Sequence, residues 1–483
     1  MIAPRYPKGS ALYSCAGGLL CGLLLLAAGG LAGGRVEAQT PQAPNQTAPT
    51  ASSFQGSVAT GRVSARTLPL SLDDAIERGL KTNLGIILSG TQTTAIRGQR
   101  LSELQSLLPT VNFNANEAVM QTDLPAEGLR VPGFPTIIGP FGYTDLRATL
   151  NWSLVDVPSL RNYLAAQHNF TAAQLTAEDA RNLVVLTVGN AYLLVLADQT
   201  RVSSVQAQVA TSKVSLNQAV ARHTAGTSPL LDELRARVDY QAQEQQLIVA
   251  RDALEKDKLA LARVIGLPLA QEFTLTTKTP YAALGNLDAT ALIHEAEANR
   301  KDLAALVEQT EAAEQVRKAA RAERLPTLKA EADYGVIGVN LLHSHGTVDA
   351  NAALSVPVFK EFALRGDAQV AQAQLDAEQA ELSDKKAQID ADVRDALLDI
   401  ASAQKQVSVA RSSVALANEA LQDAQERYVN GVSDNLAVSQ AQQSVAQANE
   451  QYVVSLYRDN LAKLSLARAL GAGQDYKRYL GGK

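Results

Sequence analysis

A seven-residue repeat of apolar positions runs through two long segments of the chain. In the second segment, large apolar residues recur every seven positions at Val393, Ile400, Val407, Val414, Leu421 and Tyr428. Alanines follow three positions after the first five of these, at Ala396, Ala403, Ala410, Ala417 and Ala424. A buried stripe on an ordinary helix drifts at about 3.6 residues per turn, so a strict repeat of seven over this length favours an antiparallel coiled coil.

The first segment carries the same repeat less strictly, at Val188, Val195, Val202, Val209 and Leu216. We therefore expect two long helices, over about 159–224 and about 362–429. A Gly-containing turn and a return helix follow each, over about 230–264 and about 435–470. At 1.5 Å per residue such long helices extend for roughly 100 Å, far beyond a globular domain.

The N-terminus has the pattern of an export signal. Basic residues precede an apolar run over 16–31, and small residues ending at Ala38 form a cleavage site, so 1–38 is the predicted signal peptide. A transmembrane anchor is the alternative, but the run is short and rich in glycine. Cys15 and Cys21 both fall inside this segment, without a convincing lipoprotein box. No later apolar run is long enough for a transmembrane helix, so entry into a membrane would require β-strands.

Four short segments alternate apolar and polar residues as β-strands do. They cover about 109–120, 144–155, 326–336 and 347–359. Each has about 9–11 residues, the length of a membrane-spanning strand with one apolar and one polar face. A soluble sheet lying on helices would alternate in the same way. The export signal, the charged residues on the polar face and aromatic residues near the strand ends favour the membrane.

Two halves of the chain repeat one order of elements. Leu108-Pro109-Thr110 recurs as Leu325-Pro326-Thr327, and Gly226 corresponds to Gly431. Each half is a duplicated helix–strand–strand–helix–helix unit. We expect a disordered linker over 39–69, rich in Gln, Pro, Thr and Ser. The predicted divisions that follow are a first repeat over 70–270, a connection over 271–288, a second repeat over 289–473 and a C-terminal tail over 474–483.

Composition and charge exclude several classes of function. The chain has 483 residues with 44 Lys and Arg against 49 Asp and Glu, and only 5% of residues are aromatic, so no nucleic-acid partner is expected. No phosphate loop, catalytic triad or cysteine-based metal site is found, and we expect no cofactor and no enzyme activity. His343 and His345 form a pair in a predicted loop, where an incidental pair is commoner than a metal site.

Four strands cannot close a barrel, and open strand edges do not survive in lipid. Three copies would supply a 12-stranded β-barrel continued by a 12-helix α-barrel of coiled-coil hairpins. The predicted fold is therefore mainly α with a small transmembrane β part, completed in a homotrimer.

The sequence resembles the TolC family of outer-membrane efflux ducts over nearly the whole mature chain. The most specific segments are Leu354-Ser355-Val356-Pro357-Val358-Phe359 and "ERYVNGVSDNLAVSQAQ" over 426–442. The resemblance implies a trimeric channel-tunnel in the outer membrane of a Gram-negative-type bacterium. It would act as the passive exit duct of a tripartite efflux or type I secretion system. The implied partners are outer-membrane lipid, a periplasmic adaptor (membrane fusion protein) and an inner-membrane transporter of the RND, ABC or MFS type. The alternative is a periplasmic adaptor or structural coiled coil without a membrane barrel.

The resemblance also assigns roles at the two hairpin turns. The implied adaptor-docking residues are Gly226, Thr227, Gly431 and Val432, although both glycines are also explained by a left-handed turn alone. The gate candidates are Arg222, Asp232, Arg427, Tyr428 and Asp434. Tyr428 equally continues the heptad stripe. Positions that carry acidic rings in some members are Ala437 and Gln440 here, which puts an acidic gate in doubt.

Overall fold

The computed structural model describes residues 51–130, 132–277, 281–285, 287–433 and 435–480. The predicted signal peptide and the start of the predicted linker, residues 39–50, lie outside the described residues. So does Asp434.

Helices account for most of both repeats. Those of the first repeat are α1 (Leu72–Thr82), α2 (Leu84–Gln105), α3 (Val157–Thr224) and α4 (Leu230–Val264). Those of the second are α5 (Ala289–Asn299), α6 (Lys301–Ala322), α7 (Glu361–Val429) and α8 (Asn435–Ala469), followed by the short α9 (Lys477–Leu480). The two long helices, α3 and α7, have 68 and 69 residues.

A single residue separates the two helices that begin each repeat. Asn83 ends α1 in an extended conformation, and its side chain caps α2 by accepting a hydrogen bond from the Gly85 amide at 2.9 Å. Arg300 stands in the same place between α5 and α6, also extended. Such a residue stops one helix and starts the next in a new direction, since its backbone leaves the helical region.

Within the described residues, six strands form two sheets. The short strands β1 (Leu68–Leu70) and β4 (Phe273–Leu275) pair in parallel. The other sheet is antiparallel and consists of β2 (Thr110–Asp123), β3 (Ile137–Val155), β5 (Thr327–Gly338) and β6 (Ser344–Ser355), in the order β2-β3-β5-β6. Within the described part of the chain, β2 and β6 each have one unpaired edge.

The strand register separates the antiparallel sheet into an apolar and a polar face. Directly paired residues share a face. One row across the four strands is Phe113, Ala148, Tyr334 and Val348. The adjacent row, on the opposite face, is Asn112, Thr149, Asp333 and Asp349. The aromatic rings of the apolar row are solvent-exposed, at 71% for Phe113 and 67% for Tyr334. This face therefore packs against no other element that the structure describes.

The helices form a layer that is four helices wide, and their order across the layer follows the order of the four strands to which they connect. Near the sheet the order is α2, α3, α6 and α7, and further away it is α4, α3, α8 and α7. The long helices run through both tiers, while the shorter helices stack end to end beside them. In the further tier α4 and α7 stand at the two edges of the layer.

The apolar core lies where the two tiers meet. The end of α4 and the C-terminal segment pack there against α1 and the middle of α3, around Val188 and the fully buried Tyr192. The middle of α7 packs on the end of α8 around Val393 and Leu466. Ion pairs join helices across this region, including Arg468 with Asp179 at 2.8 Å and Arg300 with Asp392 of α7 at 2.7 Å.

The predicted linker is wrong for its described part, residues 51–69. Phe54 is buried against Gly85, where a β-carbon would come within 2.5 Å of the phenyl ring. The Val58 and Thr60 amides donate hydrogen bonds to backbone carbonyls of Thr82 and Gly266, and β1 begins at Leu68. The polar composition of this stretch predicted disorder, but one large buried apolar side chain and several backbone hydrogen bonds stabilise it. Together these contacts offset the conformational entropy that the segment loses when it is ordered.

The apolar content of α3 corrects the expectation that no apolar run after the signal peptide is long enough for a transmembrane helix. Among the described helices, α3 is long and apolar enough over 18 residues to cross a membrane. Of that stretch, 61% is buried within the protein, as in the core helix of a folded domain. The heptad positions of α3 account for this burial, since Val188 and Val195 are fully enclosed.

Candidate functional site at the hairpin tips

Both helical hairpins turn through the same backbone motif. After α3, the Thr227 amide donates to the Arg222 carbonyl at 2.9 Å, and the Gly226 amide donates to His223. After α7, the Val432 amide donates to the Arg427 carbonyl, also at 2.9 Å. Gly226 and Gly431 both have φ of 70°, in the left-handed region that closes such a helix end without a β-carbon penalty.

The turn residues predicted to dock an adaptor are exposed. Apart from the glycine and its two chain neighbours, no atom of the described residues lies within 4 Å of the position that a β-carbon would take at Gly226 or Gly431. Thr227 turns its hydroxyl back to the Arg222 carbonyl at 3.0 Å, and Val432 is 69% exposed. Each tip therefore presents a small exposed surface, and the hydrogen bonds of the turn hold its backbone in place.

Arg222 connects the two tips. Its Nη1 donates to the Tyr428 carbonyl at 2.7 Å, and its Nη2 donates to the Val429 carbonyl at 2.8 Å. Its guanidinium carbon also lies 4.3 Å from the centroid of the Tyr428 ring. The acceptors are among the last carbonyls of α7, which have no partner within the helix and carry the negative end of its dipole. A cation from the first hairpin thus caps the long helix of the second.

Tyr428 is buried, with 3% of its surface exposed, and packs with Ala424 and Val438. Burial raises the pKa of its phenol, and the nearby Arg222 charge opposes that rise. The ring therefore remains neutral at physiological pH and continues the heptad stripe while it also contacts Arg222. Its place in the heptad stripe is confirmed, and its role at a gate stays a prediction.

Asp232 lies at the start of α4, and only 8% of its surface is exposed. Its backbone carbonyl lies 3.5 Å from the Nδ2 atom of the buried Asn435, at the start of α8. One turn further along α8, the Ser439 hydroxyl donates to the Asp239 carboxylate of α4. The return helices therefore have polar contacts of their own. Sequence reasoning missed Asn435, Ser439 and Asp239, although polar residues at one-turn spacing on facing helices are a usable signal.

Among the gate candidates that the structure describes, Arg427 does not share in the contacts between the hairpins. Its side chain is 59% exposed, and its ion pair is with Asp423 of its own helix, at 3.8 Å. Although Arg427 and Arg222 occupy equivalent positions in the two repeats, only Arg222 spans the hairpins. Asp434 lies outside the described residues.

Of the predicted histidine pair, only His343 lies in the loop between β5 and β6, whereas His345 belongs to β6 and pairs with Ile337. The Nδ1 atom of His343 lies 2.8 Å from the Asn340 side-chain oxygen, which caps the short turn. Within the described ranges, no group of three or more His, Cys, Asp or Glu residues is arranged to hold a metal ion.

Comparison with known proteins identifies the family. The family model described as outer membrane efflux protein matches residues 99–267 and 292–472. The chain is 25% identical over 417 residues to the probable efflux pump outer membrane protein SepC of Pseudomonas putida, covering 83% of each chain. It is 28% identical over 321 residues to the pyoverdine export outer membrane protein OpmQ of the same species, covering 64% of this chain and 66% of that one.

Solved structures share the fold. The outer membrane protein VceC of Vibrio cholerae matches with a TM-score of 0.73 and 20% identity, over 83% of this chain and 96% of VceC. The outer membrane channel CmeC of Campylobacter jejuni matches with a TM-score of 0.75 and 16% identity, over 89% of this chain and 95% of CmeC. These chains are TolC-like channels. The present chain therefore belongs to the outer membrane efflux protein family, as a transport protein of the outer membrane and not an enzyme.

Proposed function

We propose that three copies of this chain form a continuous exit duct, with a 12-stranded barrel in the outer membrane and a 12-helix tunnel below it. The proposal rests on the antiparallel sheet, whose two edge strands lack a neighbour on one side among the described residues and whose apolar face is exposed. In the described part of the chain, the outer edges of β2 and β6 leave a row of backbone groups without partners, which lipid does not tolerate. Pairing β6 of one copy with β2 of the next satisfies both edges and closes the sheet.

The helical layer supports the same assembly. Its edge helices in the further tier carry exposed apolar residues, at Val238, Ile248 and Val249 on α4, and at Leu398, Val409 and Leu416 on α7. Burying an apolar surface stabilises by roughly 25 cal/mol per Å². Association of α4 with α7 of the next copy therefore closes the helical tier in the same direction as the sheet.

The hairpin tips serve as the gate and the docking surface in this proposal. Arg222, Tyr428 and Asp232 hold the two hairpins of one protomer together in the closed arrangement. An adaptor that contacts the exposed turns at Gly226, Thr227, Gly431 and Val432 shifts the population towards an open arrangement. Asp434 is also assigned to this gate from its position after the second turn.

The cargo is set by the pump and not by this chain. Relatives carry names that refer to toluene, solvents, antibiotics and pyoverdine. Such different molecules share no binding chemistry, so we propose that an inner-membrane transporter of the RND, ABC or MFS type selects the cargo and a periplasmic adaptor links it to the duct. The alternative of a periplasmic adaptor without a membrane part does not agree with the family.

Cysteine cross-linking tests the assembly, since the only native cysteines lie in the predicted signal peptide. One cysteine replaces Asn112 on β2, and a second replaces Asp349, Asn351 or Ala353 in turn on β6. Disulfide-linked dimers and trimers in outer-membrane preparations, strongest for one of the β6 positions, are the expected result. A detergent-soluble monomer, with no cross-linked species for any pair, would disprove the closed barrel.

A further inference from the structure

The helices at the two edges of the tier near the sheet, α2 and α7, expose large apolar side chains. On α7, Phe362 is 83% exposed, and Val370, two turns further along, is 61% exposed. On α2, Leu101 is 51% exposed. Within one chain α3 and α6 lie between these two edge helices, so the exposed faces belong to opposite sides of the layer.

Both edge helices also contain a glycine with open space around it. At Gly98 of α2 and Gly366 of α7, the only atoms of the described residues within 4 Å of a β-carbon position belong to the glycine, its chain neighbours or the backbone of its own helix. Glycine destabilises a helix relative to alanine, but it lets the backbone of a second helix approach closely. The open space therefore suits a helix that the same chain does not supply.

The contact between the two repeats shows how such a helix would pack. In the middle of the tier, α3 of the first repeat packs against α6 of the second. The Arg161 Nη1 donates to the Gln315 side-chain oxygen at 3.1 Å. Seven residues further along α3 and seven residues back along α6, the Nδ1 atom of His168 lies 2.7 Å from Oε2 of Glu308. These two contacts fix an antiparallel register between α3 and α6.

The duplication transfers this register to the edge helices. Helix α7 repeats α3 at an offset of 205 residues, as the tip glycines do, and α2 repeats α6 at an offset of 217, as the two Leu-Pro-Thr segments do. The positions of Arg161 and Gln315 therefore correspond to Gly366 and Gly98. Ala165, which is buried between helices at 4% exposure, corresponds to the exposed Val370. An edge face of α7 thus repeats a face that is covered in α3.

Closure of the sheet brings the two edge helices together. Helix α7 begins six residues after β6 ends, and β2 begins five residues after α2 ends. Pairing of β6 with β2 of the next copy therefore sets α7 beside the α2 of that copy. We propose that these helices pack in the register of α3 on α6, with Gly366 of one copy opposite Gly98 of the next. The inference rests on the proposed trimer and names the contact that seals its wall next to the barrel.

The contact between copies differs in chemistry from the contact within a copy. Long polar side chains fill the space between α3 and α6, whereas facing glycines let α7 and α2 approach until their backbones touch. The next pair along, His168 with Glu308, corresponds to Ala373 and Thr91, which are also small. Val370 lies between these two close contacts and becomes buried. The occupant of the exposed faces is therefore a second copy of this chain.

Disulfide cross-linking tests the register. Gly98→Cys together with Gly366→Cys should join each copy to both neighbours and give a covalent trimer in outer-membrane preparations, since closely packed helices place facing residues within the span of about 4.4–6.8 Å that a disulfide bridges. In the matched control, Gly90→Cys takes the place of Gly98→Cys. It lies about 12 Å away along the same helix and should give no covalent trimer with Gly366→Cys.

A second measurement does not depend on oxidation. Gly98→Leu introduces a side chain where a single chain has open space, so the protein should fold, but the temperature at which the trimer dissociates should fall. Gln99→Leu adds a similar apolar side chain at the neighbouring exposed position, about 100° around the helix. It should leave the dissociation temperature unchanged.

Several results would overturn the proposal. A covalent trimer with Gly90→Cys in place of Gly98→Cys would contradict the register, and an unchanged dissociation temperature for Gly98→Leu would contradict the close approach. If β2–β6 cysteines link the copies and the two glycine positions do not, the barrel stands and this contact is wrong. If neither set links them, the trimer itself is wrong. A lone Gly98→Cys that reacts with a water-soluble maleimide in the solubilised trimer but not in liposomes would assign this face to lipid instead.

Discussion

The guanidinium group of Arg222 binds Tyr428 in two ways at once: it faces the aromatic ring at 4.3 Å and donates a hydrogen bond of 2.7 Å to the carbonyl of the same residue. These residues are the last-turn arginine of α3 and the last-turn tyrosine of α7. A single side chain of the first hairpin thus holds the backbone and the side chain of the second. Separation of the hairpins must break these contacts together.

Arg222→Ala should favour an open tip. The substitution removes two charge-assisted hydrogen bonds and a cation–π contact, for a combined loss of about 2 kcal/mol at this half-buried site. That loss corresponds to roughly a thirtyfold shift towards separated hairpins. Single-channel conductance in planar bilayers should rise, and cells should admit large antibiotics more readily.

Arg427→Ala is the matched control, because this arginine occupies the equivalent position in the second repeat but is exposed and pairs with Asp423 of its own helix. It should leave conductance unchanged. Equal conductance of the two variants would contradict the role assigned to Arg222.

Substitutions at Gly431 can separate turn geometry from docking. Gly431→Asn keeps a residue that tolerates the left-handed region, whereas Gly431→Val costs about 1–2 kcal/mol of backbone strain. Because the space around the β-carbon is open, neither change creates a clash. If the turn contacts an adaptor, the Asn variant should assemble at normal levels and still lose export.

Measurement of export together with the level of assembled protein checks this prediction. Gly61→Asn, at another exposed left-handed glycine far from the tips, controls for the substitution itself. Full export by the Gly431→Asn protein would contradict an adaptor contact at this residue and would mean that the glycine serves only the left-handed turn.

Phe54→Ala should destabilise the protein by about 3 kcal/mol. The ring fills a space against Gly85 and is 8% exposed, and deletion of a buried aromatic leaves a cavity. The midpoint of thermal or denaturant unfolding of the purified protein measures the loss. Val63→Ala removes an apolar side chain that is 54% exposed in the same segment, and should change stability by less than about 0.5 kcal/mol. Equal stability of both variants would mean that residues 51–69 do not anchor the fold.

The faces of β6 predict opposite responses to a new charge. Val348→Arg places a cation on the exposed apolar face, at a cost of about 2–4 kcal/mol if that face meets lipid. Asn351→Arg places the same side chain on the polar face, beside Glu331 of β5. The Val348 variant should be depleted from outer-membrane fractions, and the Asn351 variant should not. Comparable amounts of both proteins in the outer membrane would count against a lipid-facing sheet.

Acid should weaken the ion-pair cluster at Arg300. Burial alone would raise the pKa of Asp302, but its hydrogen bond with Arg300 and the charge of that residue prevail and lower the pKa to about 2. The stabilisation is present above the ordinary pKa of 3.8 and is lost as pH falls towards about 2. It amounts to about 2 kcal/mol at neutral pH.

Denaturant unfolding of wild-type and Asp302→Asn protein between pH 7 and pH 3 tests this. The stability difference between the two should narrow as pH falls. Asp390 forms an exposed pair with Arg394, so Asp390→Asn should change the free energy of unfolding only slightly, with no comparable narrowing between pH 7 and pH 3. A constant difference for Asp302→Asn would show that its ionisation does not stabilise the fold.

The periodicity of apolar residues along the chain predicted much of the architecture. The repeat of seven that ends at Tyr428 predicted α7, and the period-two pattern from Val111 to Asn116 predicted β2, because each pattern directly reflects which side chains lie on a shared face. The proline after each pre-strand helix and the left-handed glycines at both tips are likewise local. The duplication extended these predictions from one half of the chain to the other.

Tertiary packing decided the rest. Local patterns predicted the long helices, their return helices, the four strands of the antiparallel sheet and the two turns, since these depend on neighbours within a few residues. They did not predict the short β1 and β4, which pair across more than 200 residues. Only the folded structure ordered Phe54 against Gly85 and distinguished Arg222 from its repeat equivalent Arg427. These contacts join residues far apart in the chain, and their energies depend on burial and distance, which no pattern along a single sequence contains.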